Sequence, residues 1–289
     1  MVRTAQRGQA LVIILLVLAV ASTIVISLAS RSVTDITVTT KEKESARAFS
    51  AAEAGIEEAL IGGSLSGELS GGEKFSVTSS TAGGTTDFLW PDNISSGETV
   101  GLWLVGHDTN GNLVCDGSHP CFTGSTVKVC WGEPGTASDQ SETPAISASV
   151  VYLNAAGDYS TARVGRATSD PNSGRRTSNN FSPSEFSCTI SGQSFAWGQT
   201  INFANLGIPS SVYSNPNGLQ VIRLRMIYNT STPHPLGFQA STPFPVQGTN
   251  VVSTGTAENS TRKVELFQTF AEFPSIFDSG VFSGGAITK

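Results

Sequence analysis

Charge is scarce in this chain. Only 14% of its 289 residues are Asp, Glu, Lys or Arg, and the formal balance is −6. No Lys/Arg cluster occurs, which excludes the phosphate neutralisation that tight nucleic-acid binding requires. Histidine is nearly absent, with three in all. No G-x-S-x-G, H-E-x-x-H, Walker loop or dinucleotide fingerprint is present. Serine is abundant, but nothing pairs one with a base, so the chain reads as a non-enzyme with no evident cofactor. Residues 10–30 contain no Gly, no Pro and no charge. No internal repeat is visible, and no long helical pattern follows Leu60.

What is present begins in that uncharged stretch. A short basic leader, residues 1–8 with Arg3 and Arg7, ends at Gly8 and runs into Gln9-Ala10 and then LVIILLVLAVASTIVISLA. About 20 apolar residues at ~1.5 Å each just cross a ~30 Å hydrocarbon core. The arginines lie on the N-terminal side and the next charge is Arg31, so the positive-inside rule puts Met1 in the cytoplasm and the bulk outside. An alternative is a secretory signal cut near Ala19-Val20-Ala21, although the apolar run continues through Ile24, Val25, Ile26 and Leu28. A plain unprocessed anchor is the third possibility.

Beyond the span the pattern stays helical. Val33, Ile36, Thr40, Phe49, Ala52, Ile56 and Leu60 mostly keep three-to-four spacing, the stripe of an amphipathic helix, among Asp35, Lys41, Glu42, Lys43, Glu44 and Arg47. Gly62-Gly63 stops it. One continuous rod of about 50 residues, ~75 Å long, is expected.

Two motifs on that rod carry a resemblance. Gly8-Gln9-Ala10-Leu11-Val12 before the apolar run, and Ala48-Phe49-Ser50-Ala51-Ala52-Glu53-Ala54-Gly55 near its end, resemble type IV pilins, most narrowly PilX-type minor pilins. The resemblance covers about residues 3–60. It implies cleavage after Gly8 by a prepilin peptidase, methylation of Gln9, and a helix that leaves the inner membrane for the core of a filament. The implied partners are other pilin subunits, that peptidase and the inner-membrane assembly platform. Major pilins usually carry a glutamate where this chain has Ile13, and PilX-type subunits and some tip pseudopilins lack it, which points to a minor or tip role.

The remainder is different material. Residues 62–86 are rich in Gly, Ser and Thr and read as a flexible linker or loosely built edge. Residues 87–289 read as a β-rich head, with strands expected at 102–105, 127–131, 149–153, 219–228, 262–270 and 275–282. In 219–228, Ile222, Leu224, Met226 and Tyr228 alternate with Arg223 and Arg225, one face against the other. About 200 residues suffice for a head with its own core. The expected fold class is α+β. Removing Arg3 and Arg7 with the leader would take the charge from −6 to −8 (−6 − 2).

All four cysteines lie beyond the span, as suits an oxidising compartment. Three pairings exist; Cys115–Cys121 with Cys130–Cys188 is the favoured one, because the first two bracket a tight loop and the others sit in strand-like segments. A zinc set of His107, Cys115, His119 and Cys121 has the wrong spacing. Asp108, Asn110, Asn112 and Asp116 fall at positions one, three, five and nine of a calcium loop. Leu113 replaces its glycine, however, and His119 its bidentate glutamate. The competing reading is an Asn-Gly turn closing a hairpin between 102–105 and 127–131. The sequons at Asn93, Asn229 and Asn259 are what chance supplies in a Ser/Thr-rich chain. The expected function is a minor pilin-like structural subunit. The alternatives are a pseudopilin of a secretion or DNA-uptake machine and an anchored calcium-dependent surface-binding module.

Overall fold

The computed structural model describes residues 9–272 and Pro274. The expected strand at 275–282 lies outside the described residues, as does Gly8. The chain is α+β. Helix α1 (Gln9–Leu60) is followed by β1 (Ser66–Glu68), β2 (Lys74–Gly83), β3 (Asp87–Leu89), β4 (Thr99–Trp103), β5 (Gly106–His107), β6 (Leu113–Val114), β7 (Thr126–Trp131) and β8 (Ala145–Leu153). Then come β9 (Ala162–Ser169), a short helix α2 (Ser173–Asn179), β10 (Glu185–Ile190), β11 (Gln193–Asn202), β12 (Leu219–Ile227), β13 (Leu236–Gln239), β14 (Val246–Ala257) and β15 (Ser260–Thr269).

The described residues form two compact units, one within Met1–Ser79 and Val251–Leu266, the other within Ser80–Asn250 and Phe267–Lys289. In the first, the C-terminal turns of α1 pack on strands from a sheet ordered β1-β2-β14-β15. The stretch 62–86, expected as a flexible linker or loosely built edge, contains β1 and β2. The pattern Phe75-x-Val77 alternates inward along β2, a period-two signal hidden by its Ser/Thr/Gly surroundings. Ile56 of α1, Phe75, Val77 and Val251 make a small core, with Ala59, Val264 and Leu266 against it.

The second unit packs two sheets around one core, β10-β11-β7-β13-β3 and β4-β12-β8-β9. Val129, Trp131, Trp197 and Phe238 from the first sheet share that core with Leu102, Ile146, Val150, Ile222 and Leu224 from the second. Side chains alternate inward from each sheet, as in any sandwich of this kind. Full burial contributes about 1.5–3 kcal/mol for each large apolar side chain. A separate ribbon pairs β5 with β6. The expected hairpin between 102–105 and 127–131 does not form: β4 pairs with β12 and β7 with β11 and β13, in different sheets. Strand β12 is covered on both faces: Ile222 and Leu224 are fully buried on one, and Val221 and Arg223 are only 3% and 6% exposed on the other.

Disulfides join Cys115 to Cys121 and Cys130 to Cys188, with Cα separations of 5.3 and 5.8 Å. The second links β7 to β10, strands that flank β11. Gly198 of β11 is paired with Cys130, and a Cβ there would lie 3.1 Å from Cys188 Sγ, so the missing side chain makes room for the bridge.

Another polar lock holds the α2 segment. Asn172 caps α2 by accepting from the Gly174 and Arg175 amides at 3.0 and 3.3 Å. Arg175 donates to both oxygens of the fully buried Asp170, at 2.8 and 3.1 Å, and lies over the Tyr228 ring. A charge buried this deeply is tolerated only when paired and hydrogen-bonded in this way.

Candidate functional site

Helix α1 is the first candidate. It runs unbroken for 52 residues, about 78 Å at 1.5 Å per residue. Its large apolar residues from Leu11 to Leu28 are 51–67% exposed, so this half is not the core helix of a described domain. It is long and apolar enough to cross a membrane. The hydroxyls in and beyond this stretch are satisfied within the helix: Ser22 donates to the Leu18 carbonyl, Thr23 to Val20, Thr34 to Ser30 and Thr37 to Val33. Such self-bonding is how hydroxyls enter an apolar medium without orphaned donors. The helix runs through Ser22, Thr23 and Ser27 without interruption. Gln9 stands at its first residue.

The covered face of α1 follows the expected stripe at Ala52 and Ile56, which are buried, and departs from it at Val33, Ile36, Phe49 and Leu60, which are exposed; Ala48, Ala51 and Gly55 complete the buried face. The reason is distance. Val251, Ser253, Gly255 and Ala257 of β14 alternate inward as a mostly small row, and a Cβ on Gly255 would collide with the Ala48 carbonyl and the Ala52 amide. A Cβ on Gly55 would meet Ser253 Oγ and come within 3.0 Å of Phe75. Helix and strand backbones thus approach as only small residues permit. Arg47 fixes the rotation of the helix, donating to Glu73 and to the Gly71 carbonyl. The Arg47 hydrogen bond holds the Glu73 carboxyl below its ordinary range. Arg262 Nε donates to Ser45 Oγ at 2.8 Å.

The loop residues at 108–121 are the second candidate. Asp108, Asn110 and Asn112 do come together, in the turn of the β5–β6 ribbon with Gly111 at φ 80°. Asp108 Oδ1 accepts from the Asn110 and Asn112 amides at 2.8 and 2.9 Å, and Oδ2 from Asn112 Nδ2 at 2.9 Å. Those bonds, the Asn112 side chain foremost, lower the Asp108 carboxyl. Asp116 organises a separate turn inside the Cys115–Cys121 loop, where Oδ1 accepts from the Ser118 and His119 amides, each at 2.8 Å. Among the described residues no group of three or more His, Cys, Asp or Glu is placed to hold a metal. The zinc set is dismantled, since Cys115 and Cys121 are bonded to each other and His107 packs elsewhere.

His107 belongs to an aromatic cluster that no sequence spacing signals. Its ring stacks on Phe270 at 3.9 Å with 5° between planes, and meets the Trp103 edge at 4.6 Å. Burial lowers its pKa, against the opposing influence of Asp108. The other buried histidine has a simpler environment: His234 Nδ1 accepts from the Glu133 amide at 3.2 Å, and burial lowers its pKa too.

No family model matches this chain, and no curated protein or solved structure matches it significantly.

Proposed function

We propose that this protein is a membrane-anchored structural subunit of the type IV pilin kind, with a minor rather than a bulk place in its fibre. One observation carries the reading: the same helix is bare and apolar for about half its length and wedged by alanines and glycines against a sheet at its other end. Such a helix exchanges lipid for a bundle of similar apolarity at little hydrophobic cost, which makes assembly reversible. The Gly8-Gln9 junction supplies the processing point, and the two disulfides suit a head displayed outside the cell. Ile13 removes the carboxylate that would pair with a neighbour's terminal amine, so the subunit is expected in low proportion. Occupation of Asp108 by its own loop amides favours this structural reading over the calcium-dependent binding module. Quantifying subunits in fibres sheared from cells tests the proposal. The chain is expected there at a small fraction of the main subunit and absent with Gly8→Glu. Its absence from wild-type fibres, or its dominance in them, would reject the minor-subunit assignment.

A further inference from the structure

A cavity of about 580 Å³ opens in the β-rich second unit beside the β5–β6 ribbon. Its wall is mostly apolar, with Leu113, Val151, Leu153, Tyr159 and Val221 along it. Three other wall residues are unlike these: Trp103, His107 and Gln220 are 5–7% exposed, and each keeps a buried polar atom without a hydrogen-bond partner. The atoms are Trp103 Nε1, His107 Nδ1 and Gln220 Oε1. The register of β12 against β8 shifts between Leu219 and Val221, so Gln220 sits on a bulge, a device that re-aims one side chain out of the ladder. Gln220 Nε2 is anchored on Asn217, which leaves Oε1 as its free end.

Orphaned buried polar atoms are costly, and three of them on residues that line one cavity is a pattern that a bound group would relieve. Their chemistry defines that group. An indole N–H only donates and a carboxamide oxygen only accepts, so the complement holds both an acceptor and a donor. The aliphatic and aromatic wall, next to the Trp103–His107–Phe270 stack, asks for a flat apolar body. Among the described wall residues the only charged group, Glu272, faces Arg223 at 3.8 Å, so no net charge is demanded of the guest. The volume falls in the range of small-ligand sites.

We propose that this cavity binds a neutral aromatic amide, its ring against the apolar wall, its carbonyl accepting from Trp103 Nε1 and its N–H donating to Gln220 Oε1. Such a group is either a free aromatic carboxamide or an aromatic residue within a peptide. The site goes beyond the structural role.

Saturation-transfer NMR on the full chain in lipid nanodiscs tests it, with benzamide and N-acetyl-L-phenylalaninamide as probes and N-acetyl-L-alaninamide as the ringless control. Transfer to the ring protons of at least one aromatic probe, and none to the control, is expected. Tighter binding of benzamide would identify the free ligand as the source, tighter binding of the phenylalanine amide a peptide. Leu113→Trp, at a wall residue 37% exposed and so tolerant of change, should abolish the transfer. Trp103→Phe, which keeps a ring and deletes the donor, should weaken binding about tenfold. No transfer to either aromatic probe, or transfer unchanged by Leu113→Trp, would overturn the proposal. Equal affinity in a folded Trp103→Phe chain would overturn its hydrogen-bonding part.

Discussion

The two units solve opposite problems. The second hides its apolar residues: Trp131, Trp197, Phe203, Phe238 and Phe244 are at most 1% exposed, in one continuous core tied by a buried disulfide. The first leaves most of its apolar residues bare along α1 and assembles only a small core, around Ile56, Phe75, Val77 and Val251. Apolar sequence therefore means two things in one chain. In the β-rich unit it encodes folding; in α1 it makes a helix long and apolar enough to cross a membrane. Tight contact in the first unit rests on the absence of side chains, at Gly55 and Gly255, more than on their presence.

Removing Cys130–Cys188 should break the comparison most strongly. Closing a loop of 58 residues restrains the unfolded chain by about 4 kcal/mol in the chain-entropy model, against about 2 kcal/mol for the 6-residue separation of Cys115 and Cys121. Denaturant titration of the double alanine variants should show that order in the β-rich unit. A larger loss from the Cys115 bridge would mean that the core, and not loop closure, dominates there.

Gly255→Val acts on the other unit. Its side chain would meet backbone atoms of α1, which cannot rotate away, and overpacking of this kind costs about 1–3 kcal/mol. Amide exchange should accelerate across residues 48–60 while residues 126–131 stay protected. Unchanged exchange in α1 would show that the helix does not need the close approach.

Acidification separates the units by pH window. His107 and His234 have pKa values lowered by burial from an ordinary 6.5, so the unfolded chain takes up protons that the folded one refuses. Stability of the β-rich unit should decline as pH falls below about 6.5. In the first unit the lowered Glu73 contributes stability that is present above its ordinary 4.5 and lost as pH falls through its depressed value. Exchange measured at pH 7.5 and 5.5 should therefore show loosening in the β-rich unit alone. Simultaneous loosening of both would contradict these assignments.

Sequence legibility follows the range of the interaction. Helix α1 and its end near Gly62 were readable because an apolar run and a glycine stop are local. The strands expected at 127–131, 149–153 and 219–228 are readable from β-branched content and are found at Thr126–Trp131, Ala145–Leu153 and Leu219–Ile227. Pairing was not: β4 finds β12 more than a hundred residues later, and nothing near Leu102 says so. The stripe on α1 is right at Ala52 and Ile56 and fails at Val33, Ile36, Phe49 and Leu60, because periodicity weights bulky residues whereas this face has to be small to admit β14. Strands β1 and β2 were lost among Gly, Ser and Thr, although Phe75 and Val77 carried the alternation. At the loop, the Asp108, Asn110 and Asn112 grouping was legible. That Trp103, His107 and Gln220 would line one cavity was not, since a bulge in β12 and two distant segments bring them together.

The account turns on α1 being a processed helix that moves between lipid and fibre. Mass spectrometry of the N-terminal peptide from the protein isolated from its own membranes tests this most directly. A chain beginning at N-methylated Gln9 is the predicted result. A chain that still begins at Met1, or one that begins at Ser22, would contradict it, leaving a plain anchor in the first case and a secreted soluble protein in the second.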